Sequence, residues 1–357
     1  MPGPLHGVRV VEMTSVVLGP WAAMMLGDLG AEVIKIEPPG GDTNRNLGPN
    51  SNNKDMCSLY LTCNRNKRSI VLDLKSDDGR EAALKLCADA DVVIHNFRPQ
   101  AMTKLGLDYG AIKAVNPNVI YCATYGYSKE GPYGDKGALD DSIQAASGIA
   151  MLQSMVEGEP RYLPTIVADK TTALNVVQAV LAALFHRERS GEGQEIEVPM
   201  FESLVAYVMT EHLWGLTFDP PQGTAGYTRL MSKQRRPYKT KDGYLAVLPY
   251  WDAHWNTFCE KAERPDMAAD PRFTNMRERL KNIDASYAAT AEVMATKTTK
   301  EWIDLLGNTN VPMMIVNTLD GLVEDEHLVE TGFWQMFDHP TEGKIRMSKP
   351  PINFGKT

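Results

Sequence analysis

Asp169 is a lone carboxylate. It follows the short apolar run Leu163-Pro-Thr-Ile-Val-Ala and opens a long apolar segment that reaches Arg187. A carboxylate in that place suits two tasks. It can cap a helix by accepting the free N–H groups of the first turn. It can also attack an electrophilic carbonyl, with the positive end of the helix favouring its ionised form. The two roles are compatible, and the residue alone leaves both open. Either way, the helix end predicts an Asp169 that is anionic at neutral pH. Asp140 and Asp141 carry a similar double reading, as helix caps or as acids in a site. The basic residues Lys67, Arg68, Lys75, Arg98 and Lys104 fall at or beyond predicted strand ends and in the helix after Phe97, where they could hold phosphates. Solvated surface charge is the commoner role for each taken singly.

These residues need a frame, and the first half of the chain supplies one. Val8–Met13, Glu32–Glu37, Ser69–Leu74, Asp91–Phe97 and Val119–Tyr125 are short apolar, β-branched runs that read as strands. Gly19–Leu29, Gly79–Ala88 and Tyr109–Ala114 between them read as helices. Alternation of this kind predicts an α/β fold with a Rossmann-like parallel sheet covered on both faces. Ligands in such sheets sit beyond the carboxyl ends of the strands, so the turns after Glu37, Phe97 and Tyr125 are the places to look. Two helices follow, Lys170–Arg187 and Glu202–Leu216. The first is apolar nearly all round, which predicts burial or a subunit interface. A hairpin over Tyr238–Val247 and amphipathic helices beyond it mark a smaller α+β domain. The expected organisation is a large domain over 1–224, a small one over 225–325, and a return to the large domain over 326–357.

Composition excludes several classes. The chain has 357 residues and a net charge of −8, which does not favour nucleic acid or an acidic membrane surface. No apolar run has membrane-spanning length, and no leader pattern precedes the first strand. The cysteines at 57, 63, 87, 122 and 259 lack CxxC or zinc spacing, and the seven histidines form no ligand pattern. Free thiols in a cytoplasmic protein are expected. A GxGxxG fingerprint is also missing.

The motifs taken together resemble those of the class III CoA-transferases. Val11 to Asp42, with Gly19-Pro20 after the first strand, is similar to the family's opening signature. Asn96-Phe-Arg-Pro99, Leu105-Gly-Leu-Asp-Tyr109, Asn116-Pro-Asn-Val-Ile-Tyr121 and Gly126-Tyr-Ser-Lys-Glu-Gly-Pro132 match further segments in the family's order. So do Ala168-Asp169, Arg187, Ser190-Gly191, Gly193-Gln194 and Met200. The resemblance spans about residues 6 to 355.

What the resemblance implies is specific. Asp169 is the covalent nucleophile and Asp140 the acid beside it. Val16, Val17 and Leu18 line the reacting end of coenzyme A, near Ala168 and Met200. Leu72, Lys75, Asn96, Phe97, Arg98 and Lys104 serve the nucleotide. Pro38 stands where relatives often carry an arginine, and Arg45 is expected to compensate. Coenzyme A is a substrate, with no tightly bound cofactor. The partners are an acyl-CoA donor, a carboxylic acid acceptor and a second copy in an interlocked homodimer. Formyl-CoA transferases carry Gln at the Val17 position, so an acid other than formate or oxalate is expected here. A dicarboxylic or hydroxylated acid fits, with succinyl-CoA as donor. The rival readings are an acyl-CoA racemase or epimerase, a CoA-ester hydrolase and a non-catalytic acyl-CoA-binding protein. Racemases carry a histidine at the Leu139 position, and an aliphatic side chain accepts no proton.

Overall fold

The computed structural model describes residues 3–357, which form two compact units. The first unit takes the chain up to Ala150, then Tyr162–Val208 and Val329–Thr357. The second takes Met151–Arg161 and Met209–Leu328.

The first unit is built on a six-stranded parallel sheet. Its strands are β1 (Arg9–Met13), β2 (Glu32–Glu37), β3 (Lys67–Val71), β4 (Val92–His95), β5 (Ile120–Ala123) and β6 (Glu195–Glu197), in the order β3-β2-β1-β4-β5-β6. That is the doubly wound order, whose direction reverses between β1 and β4. Val10, Val11, Val92, Val93 and Ile94 are wholly buried, as strands covered on both faces require. The expected parallel sheet is therefore present. The strand read at Ser69–Leu74 lies earlier, at Lys67–Val71, because Leu72 bonds to Glu37 O at 2.9 Å and the chain then turns away. β6 was not read from the sequence.

The long helix spans Val167–Ser190, three residues earlier at its start than expected. It buries one stripe, including Ala168, Asp169, Thr172, Ala173, Val176, Val180 and Ala183. The recurrence at three and four residues is that of one helix face. That face packs on the helix Leu18–Asp28 and on the helix Asp140–Ala146. Leu174 and Phe185, on the remaining surface of the helix, are exposed.

The tail of the first unit forms an antiparallel hairpin, Trp334–His339 with Gly343–Ser348. Glu342 in its turn accepts the backbone N–H groups of Asn52 at 2.9 Å and Asn53 at 3.1 Å. The second unit holds a three-stranded antiparallel sheet of Tyr238–Lys239, Tyr244–Val247 and Met313–Ile315. Its core gathers Trp255, Phe258, Phe273 and Trp302.

Candidate active site

A cavity of about 580 Å³ opens at the carboxyl ends of β1, β4 and β5, where the order of the sheet reverses. Ser15, Val16 and Leu18 come from the turn after β1, Asn96 and Arg98 from the turn after β4, and Thr124, Tyr125 and Gly126 from the turn after β5. The loop Gly134–Leu139, Ser142, Met200 and Asp169 complete the lining. Gly126 is required there, because a Cβ on it would meet the Cβ of Ala138 at 2.3 Å.

Asp169 sits in the first turn of its helix, and Ile166, not Asp169, is at the cap. The cap is supplied from another element. Asp140 Oδ1 accepts the N–H groups of Ala168 at 2.8 Å and Asp169 at 3.1 Å, while its Oδ2 accepts Gln144 Nε2 at 2.6 Å. Gln144 in turn binds Thr165 O at 3.2 Å and Leu163 N at 2.8 Å. Asp140 is buried, does not line the cavity, and orients the helix start that carries Asp169. By contrast, the Asp169 carboxyl takes no hydrogen bond among the described residues and is only 8% exposed.

This changes the charge expected on Asp169. Burial raises its pKa to about 7, and the neighbouring Asp140 adds to the rise. Desolvation leads and a like charge follows, while the helix-start N–H groups of Ala168 and Asp169 are taken by Asp140 rather than by Asp169. At neutral pH the group is poised between its two forms, and once ionised it is a strong base for a carboxylate.

The turn after β1 is held under strain. Val16 has φ +69°, a left-handed conformation that a β-branched residue rarely adopts. Side chains clasp it on both sides. Asp42 Oδ1 accepts Val16 N at 3.3 Å, and Asn44 Nδ2 donates to Val16 O. Asn96 accepts Ser15 N at 3.2 Å and donates to Ser15 O at 2.9 Å. Beneath the turn lies a buried ionic lattice. Lys35 Nζ is 3.0 Å from Glu12 and 2.9 Å from Asp42, and it donates to Thr14 O at 2.8 Å. Lys67 Nζ is 2.7 Å from Glu12 Oε2 and binds Pro20 O at 2.8 Å. Burial lowers Lys67 to about 8 against the pull of Glu12. Gly19 is needed as well, since a Cβ there would meet the Thr14 side chain at 2.4 Å.

The predicted site residues divide. Asp169, Val16, Leu18, Asn96, Arg98 and Met200 meet around the cavity. Val17 is buried outside the lining, because it caps the helix Leu18–Asp28 and packs inward. Ala168 is fully buried, and its N–H is taken by Asp140. Leu72 packs on the core beside β2, while Lys75, Phe97 and Lys104 are exposed and do not line the cavity. Arg45 is elsewhere and already occupied. Its Nε and Nη2 grip Glu37 at 2.7 and 2.8 Å, Nη2 also donates to Tyr60 at 2.7 Å, and the guanidinium lies 3.9 Å from the Tyr60 ring centre. Arg187 ties the far end of the long helix to Asp91 at 2.7 Å. Gly134, Lys136, Gly137 and Ala138 line the cavity but were not assigned there from the sequence, while Leu139 lines it at the position the sequence comparison gave to the racemases' histidine. For Glu12 and Lys35 a signal did exist, since each is a charge inside a strand otherwise buried on both faces.

The doubly wound α/β sheet thus holds a buried carboxylate beside the cavity at its switch point. The chain belongs to CoA-transferase family III, whose model matches residues 5–357. It is 33% identical over 335 residues to the probable fatty acyl-CoA transferase Rv3272 of Mycobacterium tuberculosis, covering 90% of this chain and 84% of that one. The crystal structure of Rv3272 superposes with a TM-score of 0.86 over 99% of this chain and 94% of that chain, at 31% identity. The succinyl-CoA:glutarate CoA-transferase of Mus musculus is 31% identical over 357 residues, covering 99% of this chain and 81% of the relative. The acetyl-CoA:oxalate CoA-transferase of Acetobacter aceti is 33% identical over 361 residues, with coverages of 98% and 89%. The chain is thus an enzyme of the CoA-transferase type.

Proposed function

We propose that Asp169 carries coenzyme A between carboxylic acids through covalent intermediates. Its carboxylate attacks the donor thioester carbonyl, forming a mixed anhydride and releasing CoA thiolate. The thiolate attacks the aspartyl carbon, giving an aspartyl-CoA thioester and freeing the donor acid. The acceptor carboxylate then displaces the thiolate, again forming an anhydride. The returning thiolate attacks the acceptor's acyl carbon and regenerates Asp169. Every bond broken is matched by one formed, and no proton or electron is left over.

The observation that carries this reading is the state of Asp169: buried, unbonded and open to a cavity of about 580 Å³. Desolvation raises the basicity of the ionised carboxylate, which suits an attacking group. Asp140 acts here as a positioning residue that fixes the helix start. Val16, Leu18 and Met200 form the walls of the acyl end. Arg98 and Lys136 are the cavity's cations and suit an acid's second carboxylate or a phosphate. Lys75, in the turn after β3, and Lys104, in the last turn of the helix Pro99–Leu105, are exposed cations that suit the nucleotide phosphates. Arg45, committed to Glu37, is left out of that set.

Leu139 weighs against the racemase reading. It lines the cavity at 70% exposure and has no proton acceptor. Two of the relatives are named for short dicarboxylic acids, glutarate and oxalate, and one for fatty acyl-CoA, so an acceptor screen includes both dicarboxylic and fatty acids. The exposed Leu174, Phe185 and Tyr207 support a self-associated dimer, which sedimentation that finds a monomer would exclude. The mechanism is tested by trapping with hydroxylamine during turnover and mapping the adduct by mass spectrometry. An unmodified Asp169, or full activity in Asp169→Asn, sinks it.

A further inference from the structure

We infer that the second unit carries its own binding site for a short aliphatic carboxylate, centred on Arg229. The cavity lies against the hairpin Tyr238–Val247 and the helix Ile283–Met294, and it measures about 260 Å³. It shares no lining residue with the cavity that holds Asp169. Its walls are mostly apolar, with Leu248, Met276, Leu280 and Ile283 among them.

Charge is what singles the cavity out. Arg229, Arg235, Arg236 and Arg279 line it, and no Asp or Glu does. Arg279 is spent on structure. It donates to Phe273 O at 2.9 Å and Tyr250 O at 3.0 Å, and pairs with Asp252 at 2.6 Å. The other three make no ion pair among the described residues. Arg229 is the one held in place. Its guanidinium lies 4.6 Å from the Tyr250 ring centre, and its Nε donates to the Tyr287 hydroxyl at 3.1 Å. Its partners are neutral phenols, so its charge is fixed in position, half-buried and uncompensated.

A guanidinium so placed calls for an anion, since its planar fork matches a carboxylate. The apolar walls decide which anion. Inorganic phosphate would lose hydration against them and gain no contact in return, whereas an alkyl chain would replace water there. Arg235 and Arg236, both exposed at the mouth, favour the approach of negative ligands. The inference does not rest on the role given to Asp169.

The test is calorimetric titration of the full chain with hexanoate, hexan-1-ol and inorganic phosphate. Saturable hexanoate binding is expected, with the alcohol and phosphate at least tenfold weaker. Arg229→Gln should weaken hexanoate at least tenfold. Leu248→Trp fills the cavity from an exposed wall without touching the charge, and should abolish binding with circular dichroism unchanged. Asp169→Asn should bind as the wild type does. The inference is overturned if the wild type shows no saturable binding or if phosphate binds as tightly as hexanoate. It is equally overturned if Arg229→Gln or Leu248→Trp binds normally, or if Asp169→Asn loses binding. Intact Arg229-dependent binding together with full transferase activity in Asp169→Asn would sink the Asp169 mechanism and leave this site standing.

Discussion

Replacing Asp169 by Asn should make the protein more stable, and increasingly so as pH rises. Burial and Asp140 move the Asp169 pKa from an ordinary 3.8 to about 7 in the folded chain. Between those values the folded state holds a proton that the unfolded state has released. Stability therefore falls as pH climbs through that window and is level above it. At about 1.4 kcal/mol per pH unit, the full cost of ionising the buried group is about 4 kcal/mol. Between about pH 5 and about pH 8 it amounts to roughly 3 kcal/mol. Asn has a similar shape and no titration, so it removes this slope. Any fixed gain or loss from the amide itself is the same at every pH and cancels from the comparison. If the chain melts as one unit, the gap between variant and wild-type melting temperatures should widen by about 4 °C across that range. Melting curves of both proteins in matched buffers measure it. The infrared carbonyl band of a protonated acid near pH 6, present in the wild type and lost in the variant, is an independent check. Parallel melting profiles, or no such band, would refute the argument that burial dominates at Asp169.

With Asp169 as the proposed nucleophile, the same shift sets the acid limb of catalysis. The kcat/KM for acyl-CoA should rise with pH through about 7, and a flat profile from acid to neutral pH would contradict it. Asp140→Asn removes the like charge, so that limb should move to lower pH, and the weakened cap should cost about 1 kcal/mol of stability. An unmoved limb would show that Asp140 acts only through geometry. Val16→Gly relieves the left-handed strain but adds freedom to the unfolded chain, so stability should change by no more than about 1 kcal/mol. Its kcat should nevertheless fall, because a pocket wall is lost; unchanged kinetics would remove Val16 from the site. Lys104→Ala should raise KM for acyl-CoA and leave kcat alone, with the difference fading as salt is added; a salt-independent fall in kcat would contradict phosphate binding.

The sheet was legible because strands buried on both faces must be apolar and β-branched, and β1, β2, β4 and β5 are. β6 was hidden by its composition. Glu195-Ile-Glu197 is an edge strand with two charges, and among the described residues it pairs only with β5. The tail hairpin was hidden for a related reason, since Trp334–His339 is mostly exposed and shows no apolar face. Asp169 was singled out by its place in the chain, yet its environment was not legible there. The start of its helix is capped by Asp140, 29 residues earlier, and no local pattern signals a cap that comes from another helix. Arg45 illustrates the converse. A lone arginine after a strand invites a phosphate, but Glu37 and Tyr60 reach it only in the folded chain. Burial pushes Glu37 up, and its bonds from Arg45 and other donors bring it down to about 2.

The buried lattice below Val16 explains why an apolar sheet carries so much charge. Glu12, Lys35, Asp42 and Lys67 are all but removed from water, and an uncompensated ion there would cost several kcal/mol. Hydrophobic residues of similar volume would fill the same space and stabilise the fold at least as well. They would not hold the N–H of a left-handed valine. Asp42 does both jobs, pairing with Lys35 through Oδ2 and accepting Val16 N through Oδ1. The turn that walls the cavity thus gets its shape from charges anchored in β1, β2 and β3 rather than from its own sequence. A strained turn fastened to a sheet is a fixed wall. The reaction proposed above, with its two anhydrides, would need such a wall, because the thiolate released in one step must stay within reach for the next.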